Sequence, residues 1–218
     1  VDVERRQGNV GASGATGNIT STTSLDVTAV ANVFAETAVA NAKAAGITQD
    51  INGNSGNASG TVTNNGTVSV EASASANGST VANAEALAEG VDQDVQAQLD
   101  ATGLIVNTSS SSIDVSAAAS AVGGAASANA SANAVTQSVY SSSGNASGTI
   151  SSSGSISASA TAYTSAFANS SGRAASNGII QSVGSDGDNA AATGNITNGS
   201  LTSYAASNVH SSQAARSH

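Results

Sequence analysis

A six-residue motif recurs four times at one spacing and restricts the folds available to this chain. The copies read Gly-Ile-Thr-Gln-Asp-Ile (46–51), Gly-Val-Asp-Gln-Asp-Val (90–95), Ala-Val-Thr-Gln-Ser-Val (134–139) and Gly-Ile-Ile-Gln-Ser-Val (178–183). Their glutamines lie 44 residues apart each time: Gln49, Gln93, Gln137 and Gln181. An aliphatic residue stands two positions before and two positions after each glutamine. A β-strand would therefore place all three side chains on one face.

A single buried glutamine without partners is unfavourable, because an unsatisfied buried amide costs a few kcal/mol. Stacking the copies removes this cost. Each amide then lies about 4.8 Å from its equivalent and can donate to it, as in the amide ladders of cross-β stacks. The sequence therefore predicts an all-β fold, a cross-β-like β-solenoid of about five stacked 44-residue repeats with an internal glutamine ladder.

The composition predicts a thin core. The chain has no Pro, Cys, Met or Trp, and aromatic residues make up 2% of it. Alanine methyl groups are the main filler, and each buried methyl contributes only about 0.8 kcal/mol. Two layers that approach closely across alanine suit this composition. The alternative is disorder, which Gly-, Ser- and Asn-rich sequences often show, but the fixed repeat and the alternation favour an ordered fold.

Alternating alanines fill each repeat. Alanine occupies every second position of 38–44, 82–88 and 126–132, and the inward parity changes at the first residue of the glutamine motif. A small residue at that point indicates a corner or bulge. Alanine-rich runs can also form helices, but the period here is two residues, which is typical of strands.

These patterns define the domain organisation. Residues 1–7 lie outside the repeats, and 8–218 form one solenoid domain. Its predicted repeats are 8–51, 52–95, 96–139, 140–183 and an incomplete 184–218. The sequence leaves open whether each repeat forms one coil or two. Outside the column of Asp50 and Asp94, charged residues avoid stacking if there is one coil per repeat, as in the column Asp26, Ser69, Asp114, Ser157 and Thr202.

Several functions are disfavoured by the residue inventory. The formal charge of −9 disfavours nucleic acid and anionic membranes as partners, and no apolar run is long enough to insert into a membrane. No signal peptide is visible, and a start at Val1 leads us to expect a processed, mature chain. We do not expect an enzyme, because His210 and His218 are the only histidines, cysteine is absent and no serine lies in a Gly-x-Ser-x-Gly elbow.

Acidic residues give the only candidate metal ligands. Asp50 and Asp94 share an outward column in neighbouring coils, where like charges repel. A Ca²⁺ ion would relieve that repulsion, and Asp186 and Asp188 form a second oxygen-rich candidate. The alternative is a solvated acidic face without metal, and no other cofactor is expected.

The turn that follows each motif carries a resemblance to known families. The combinations Gln49, Gly56, Asn57, Ala58 and Gln137, Gly144, Asn145, Ala146 resemble curli-type repeats, and Gln181, Asn189 and Ala190 carry a third copy. The Ala-rich strands and Asn-Ala-Ser-Gly turns are also similar to the Fap amyloid subunits of pseudomonads. The resemblance implies a secreted bacterial fibre subunit of the biofilm matrix, a functional amyloid. Gly-Thr-Val runs look like the passenger repeats of autotransporter adhesins, which imply a surface stalk instead.

The expected function is therefore a structural subunit of an extracellular fibre whose main partner is itself. The fifth repeat, 184–218, has 35 residues of the expected 44, and residues 1–7 show strand-like alternation. We expect residues 1–7 of one subunit to complete the last coil of its neighbour, with Val1, Val3 and Leu201 in the contact. Such a contact does not close, so it propagates into a filament.

Overall fold

The chain is built from strands throughout the part that the structure describes. The computed structural model describes residues 2–11, 14–188 and 190–211. In these ranges there are ten strands and no helix: β1 (Asp2–Gly11), β2 (Gly14–Ser21), β3 (Leu25–Gly53), β4 (Asn57–Asn64), β5 (Thr67–Ala97), β6 (Ala101–Asn107), β7 (Ser112–Ser141), β8 (Ala146–Ala166), β9 (Ser170–Ser185) and β10 (Ala192–Ser211). Every strand pairing is parallel. The predicted solenoid-like all-β fold is confirmed.

Each repeat forms one coil. Gln49 is in register with Gln93, and Gln93 with Gln137, so equivalent residues stack directly. The leading residues Leu25, Val68 and Ile113 are also in register with one another. The structure thus decides the question that the sequence left open. Coils follow each other at the strand spacing of about 4.8 Å.

Every coil consists of two arms that face each other across the core. The first arms cover 14–35, 57–78, 101–123, 146–166 and 192–211, and the second arms cover 37–53, 81–97, 126–141 and 170–185. In the fourth coil β8 is the whole first arm and β9 the whole second arm. Ser176 on β9 donates to the backbone oxygen of Ala158 on β8 at 2.9 Å, which shows how closely the arms approach. The alanine side chains between them are almost fully buried.

The predicted change of parity occurs within the second arm. Ala134 and Val135 are consecutive residues and both are fully buried, so the inward face switches between them. The pairing with the neighbouring coil continues on both sides of this point, from Asn133 with Asn177 to Val135 with Ile179. The irregularity therefore stacks on its equivalents and does not interrupt the sheet.

The outward column that begins at Asp26 keeps like charges apart, as the sequence predicted, whereas Asp50 and Asp94 do stack. Asp26 is in register with Ser69, and Ser69 with Asp114. The neighbours of Asp114 in both adjacent coils are thus neutral serines, Ser69 and Ser157. A surface column of this kind lowers repulsion along a stack whose formal charge is −9.

The two ends of the stack differ in shape. At the N-terminal end β1 lies on the second arm of the first coil, where Gln7 is in register with Gln49. This strand runs past residue 7, to Gly11. At the C-terminal end β10 lies on β8, while among the described residues no strand pairs with the outer edge of β9. Each end therefore carries half a coil, a second arm at one end and a first arm at the other.

Candidate functional site

The four glutamines of the motif form the ladder that the sequence predicted. Nε2 of Gln93 donates to Oε1 of Gln49 at 2.7 Å, and Gln137 donates to Gln93 at 2.8 Å. Gln181 continues the series by donating to Gln137 at 2.8 Å. Gln49, Gln93 and Gln137 are at most 1% exposed. All three bonds run the same way, from the later coil to the earlier one.

Each glutamine also binds across the core. Nε2 of Gln93 donates to the backbone oxygen of Leu104 at 3.3 Å, and Nε2 of Gln137 donates to that of Thr149 at 3.3 Å. Gln49 makes the equivalent bond to Thr61 at 3.2 Å. Both hydrogens of the Gln93 and Gln137 amides are thereby used, one along the stack and one between the arms. Satisfied amides of this kind can be buried without the desolvation cost of a free group.

A column of glycines opposite the ladder makes room for it. A Cβ atom at Gly60 would lie 2.7 Å from Oε1 of Gln49, and one at Gly103 would lie 2.9 Å from Oε1 of Gln93. Gly148 and Gly194 stand in the same relation to Gln137 and Gln181. Reading the sequence identified the short Gly-Thr-Val strands but missed this role. The signal was a glycine 10 or 11 residues after the glutamine in the first three copies and 13 residues after it in the fourth.

The glutamine ladder divides the core into two apolar clusters. The larger cluster contains the alanine columns and the residues that precede each glutamine, such as Val91 and Val135. The smaller one contains the residues that follow it, such as Val95 and Val139, with alanines near the turn. The polar column therefore fixes the register of a core that is otherwise built from interchangeable small side chains.

A second polar ladder, which the sequence reading missed, lies in the first arms. Its register positions are Ser21, Asn64, Asn107, Ser152 and Asn198. Nδ2 of Asn64 donates to Oδ1 of Asn107 at 2.9 Å, and Nδ2 of Asn107 donates to Oγ of Ser152 at 3.1 Å. These bonds run from the earlier coil to the later one, opposite to the glutamine ladder. The signal in the sequence was an Asn or Ser just before each second turn.

The predicted assembly residues lie at or near the ends. Val3 is in register with Ala44 at the N-terminal end, and Val1 lies outside the described residues. Leu201 is in register with Ile156, so it continues an inward column, yet it is 47% exposed. Ile196 is in the same situation, in register with Ile150 and 48% exposed. Both are core-type residues that lack a covering coil among the described residues.

The acidic candidates do not form a metal centre among the described residues. Asp50 and Asp94 are in register, but no group of three or more His, Cys, Asp or Glu side chains there has the arrangement to hold an ion. Oδ2 of Asp94 instead accepts a hydrogen bond from Gln96 at 2.8 Å. At the second candidate, Asp186 accepts a hydrogen bond from the hydroxyl of Tyr140. Asp188 takes part in neither of these two hydrogen bonds.

The carboxyl of Asp92, two residues before Asp94, has a displaced pKa. Burial raises the pKa of its carboxyl above the ordinary value, and the negative charges of Glu89 and Asp94 raise it further. Lys43, whose ammonium lies 3.9 Å from Glu89, acts in the opposite direction. The Asp92 carboxylate is thus partly desolvated and carries an electrostatic cost at neutral pH.

Of the two histidines, His210 lies in the described part of the chain, beside a tyrosine ring. The His210 ring lies 6.0 Å from that of Tyr163 on the outer face, and His218 lies outside the described residues.

Across the described residues, no helix is both long and apolar enough to be a candidate membrane span. Comparisons with protein-family models, with curated proteins and with solved structures return no match. The ladders and the ends of the stack are therefore the features on which a function can be argued.

Proposed function

We propose that this protein is the structural subunit of a self-assembling extracellular fibre of the bacterial biofilm-matrix type. Subunits add head to tail, and each joint is one complete coil made from the two half coils of adjacent copies. The observation that carries this proposal is the complementary shape of the two ends. β1 protrudes from the second arm at the N-terminal end, and β9 is uncovered in the second arm at the C-terminal end.

The register specifies how the half coils would meet. Gln7 pairs with the Gln49 column inside the chain, and Gln181 ends that column. Placing β1 of a second copy on β9 puts the register position of Gln7 over Gln181. The same movement places β2 and the start of β3 of the second copy on β10. Backbone groups at the edges of β9 and β10 then gain the parallel partners that every other coil has.

Apolar columns also continue through such a joint. Ile19 and Leu25 begin two inward columns at the N-terminal end, and both are only partly buried. Ile196 and Leu201 end the same two columns at the C-terminal end. Burying the exposed halves of these side chains favours association by about 25 cal/mol for each Å² of apolar surface. Because the surfaces in contact differ, the association is heterologous and does not close.

The second function under consideration is the stalk of a large autotransporter-type adhesin. There, further coils of the same polypeptide would cover the ends that we assign to a second copy. Both functions use the solenoid as a rigid rod, but only the fibre requires separate chains to associate. The association of purified chains therefore distinguishes them.

The test is assembly of the purified protein, followed by sedimentation and electron microscopy. We expect unbranched filaments, and we expect the chain lacking residues 1–7 to form them far more slowly. Circular dichroism of the shortened chain serves as the control for folding. Filaments that form at the normal rate and with normal stability after the deletion would rule out the completed coil. A full-length chain that stays monomeric would support the stalk.

A further inference from the structure

We infer that the two buried polar ladders determine which ends of two copies can join, and that Asn198 of one copy donates a hydrogen bond to Ser21 of the next. The inference rests on the proposed head-to-tail fibre and adds the contact that sets its polarity. It concerns the C-terminal end, where both ladders stop, and the N-terminal coil of a second copy as the partner.

The glutamine ladder presents an acceptor at the C-terminal end. Each bond is donated by the later coil, so the Oε1 atoms of Gln49, Gln93 and Gln137 receive their hydrogens from the coil that follows. Gln181 donates to Gln137 and to the backbone oxygen of Asn195. No donor among the described residues reaches its Oε1. A second copy would need to bring an amide donor to this position, and the register position of Gln7 lies there.

The Asn ladder presents a donor at the same end. Asn64 and Asn107 each use Nδ2 to bind the next coil. Asn107 also donates to the backbone oxygen of Ser155, and Asn64 to that of Ser112. Asn198 holds the last position of this column and has no described coil to donate to. Its side chain makes no hydrogen bond with the described part of the chain, and its Oδ1 is buried.

Ser21 is arranged to receive that donor. In the middle of the chain Ser152 accepts from Asn107 while its own hydroxyl donates to Gly154, two residues on, at 3.2 Å. Ser21 is 6% exposed, and its hydroxyl likewise donates two residues on, to Thr23, at 3.3 Å. No described donor approaches Ser21 from outside the stack. An Asn198–Ser21 contact would therefore repeat a step that the chain already contains between Asn107 and Ser152.

The opposite directions of the ladders exclude other arrangements of the ends. A head-to-tail joint matches an acceptor with a donor in one column and a donor with an acceptor in the other. Two C-terminal ends would bring together Oε1 atoms of Gln181, and their strands would run antiparallel. Unsatisfied buried oxygens disfavour that contact. The two ends of a filament thus differ chemically, and only unlike ends join.

Cysteine cross-linking tests this directly, because the chain contains no cysteine. Adjacent strands lie about 4.8 Å apart, which is within the usual Cα separation of a disulfide. Ser21→Cys and Asn198→Cys are made as separate variants of different mass, mixed during assembly and oxidised. We expect mixed disulfides, detected on non-reducing gels and by mass spectrometry. Filaments that give only like–like disulfides, or none, would overturn the inference.

A second cysteine pair, at exposed positions, tests the same register without altering the buried column. Thr20 and Thr197 are exposed and share the neighbouring outward column, so Thr20→Cys should also cross-link to Thr197→Cys. Thr20→Cys with Thr193→Cys is the mismatched control, four residues or roughly 13 Å out of register. If that control cross-links equally well, the register is wrong. If the cysteine-free parent forms no filaments, the proposed function is wrong, and so is the Asn198–Ser21 contact that rests on it.

The role of the Asn198 amide has its own readout. Asn198→Asp keeps the shape of the side chain but removes the Nδ2 donor. We expect the concentration needed for elongation to rise about tenfold, as for the loss of one buried hydrogen bond. Asn208→Asp, on the exposed face of the same strand, is the matched control for added charge. Equal effects of both variants would contradict the specific contact.

Discussion

Gln137 donates from Nε2 to Oε1 of Gln93 across two adjacent coils, at a distance of 2.8 Å. The same nitrogen donates to the backbone oxygen of Thr149 in the opposite arm. One side chain therefore joins neighbouring coils and closes its own coil. In a core of methyl groups, which pack in almost any register, this bond favours one register over its neighbours.

Replacing Gln137 by Leu should destabilise the fold by about 1–3 kcal/mol, because Oε1 of Gln93 and one hydrogen of Gln181 lose their partners. Chemical denaturation measures the change. Gln96→Leu is the control, since Gln96 is exposed and bonds only to a surface carboxylate. Equal stabilities of the two variants would show that the ladder contributes little.

Gly103→Ala should destabilise the fold by about 1–3 kcal/mol through overpacking. The new Cβ would lie 2.6 Å from Cγ2 of Val139 and 2.9 Å from Oε1 of Gln93, so the ladder must shift. Gly184→Ala is the control, because its nearest side-chain atom, on Tyr140, is 3.4 Å away. Thermal unfolding should separate the two variants. A Gly103→Ala protein as stable as Gly184→Ala would refute the role of the glycine column.

Asp92→Asn should raise the free energy of unfolding at neutral pH and make it less dependent on pH in the acidic range. The pKa of Asp92 is raised in the folded state, so the folded protein binds more protons than the unfolded chain between that pKa and 3.8. Stability from this group is therefore gained as the pH falls through the raised pKa, and is lost as it rises. Denaturation at several pH values measures the effect, with the exposed Asp26→Asn as control. A parallel pH profile for Asp92→Asn and the parent would contradict the prediction.

Asp186→Asn should lower the pKa of Tyr140. The hydrogen bond to Asp186 raises the pKa of this phenol, because ionisation breaks the bond and places two negative charges together. Ultraviolet titration of the three tyrosines measures the change, and Tyr140→Phe identifies which step belongs to Tyr140. If the titration curve of Asp186→Asn matches that of the parent, the bond does not persist in solution.

The sequence by itself determined the period of the solenoid, the inward faces of the arms and the glutamine column. Gln49, Gln93 and Gln137 recur at a constant step of 44 residues, so any parallel stack that buries their aliphatic neighbours brings the amides together. The change of parity at Ala134 followed in the same way, from the positions of alanine. These features depend on local alternation and on one repeat length, both of which are visible in the chain.

Only the tertiary structure decided the rest. The column Asn64, Asn107, Ser152 and Asn198 advances by unequal steps, because turns of different length precede its members, and it has no fixed period in the sequence. The backbone oxygen that each amide also binds is set by the fold: Thr149 of the opposite arm for Gln137, and Ser112 of the next first arm for Asn64. Gly103 faces Gln93 for the same reason. Contacts between arms depend on how the chain turns between them, and alternation within an arm carries no information about that geometry.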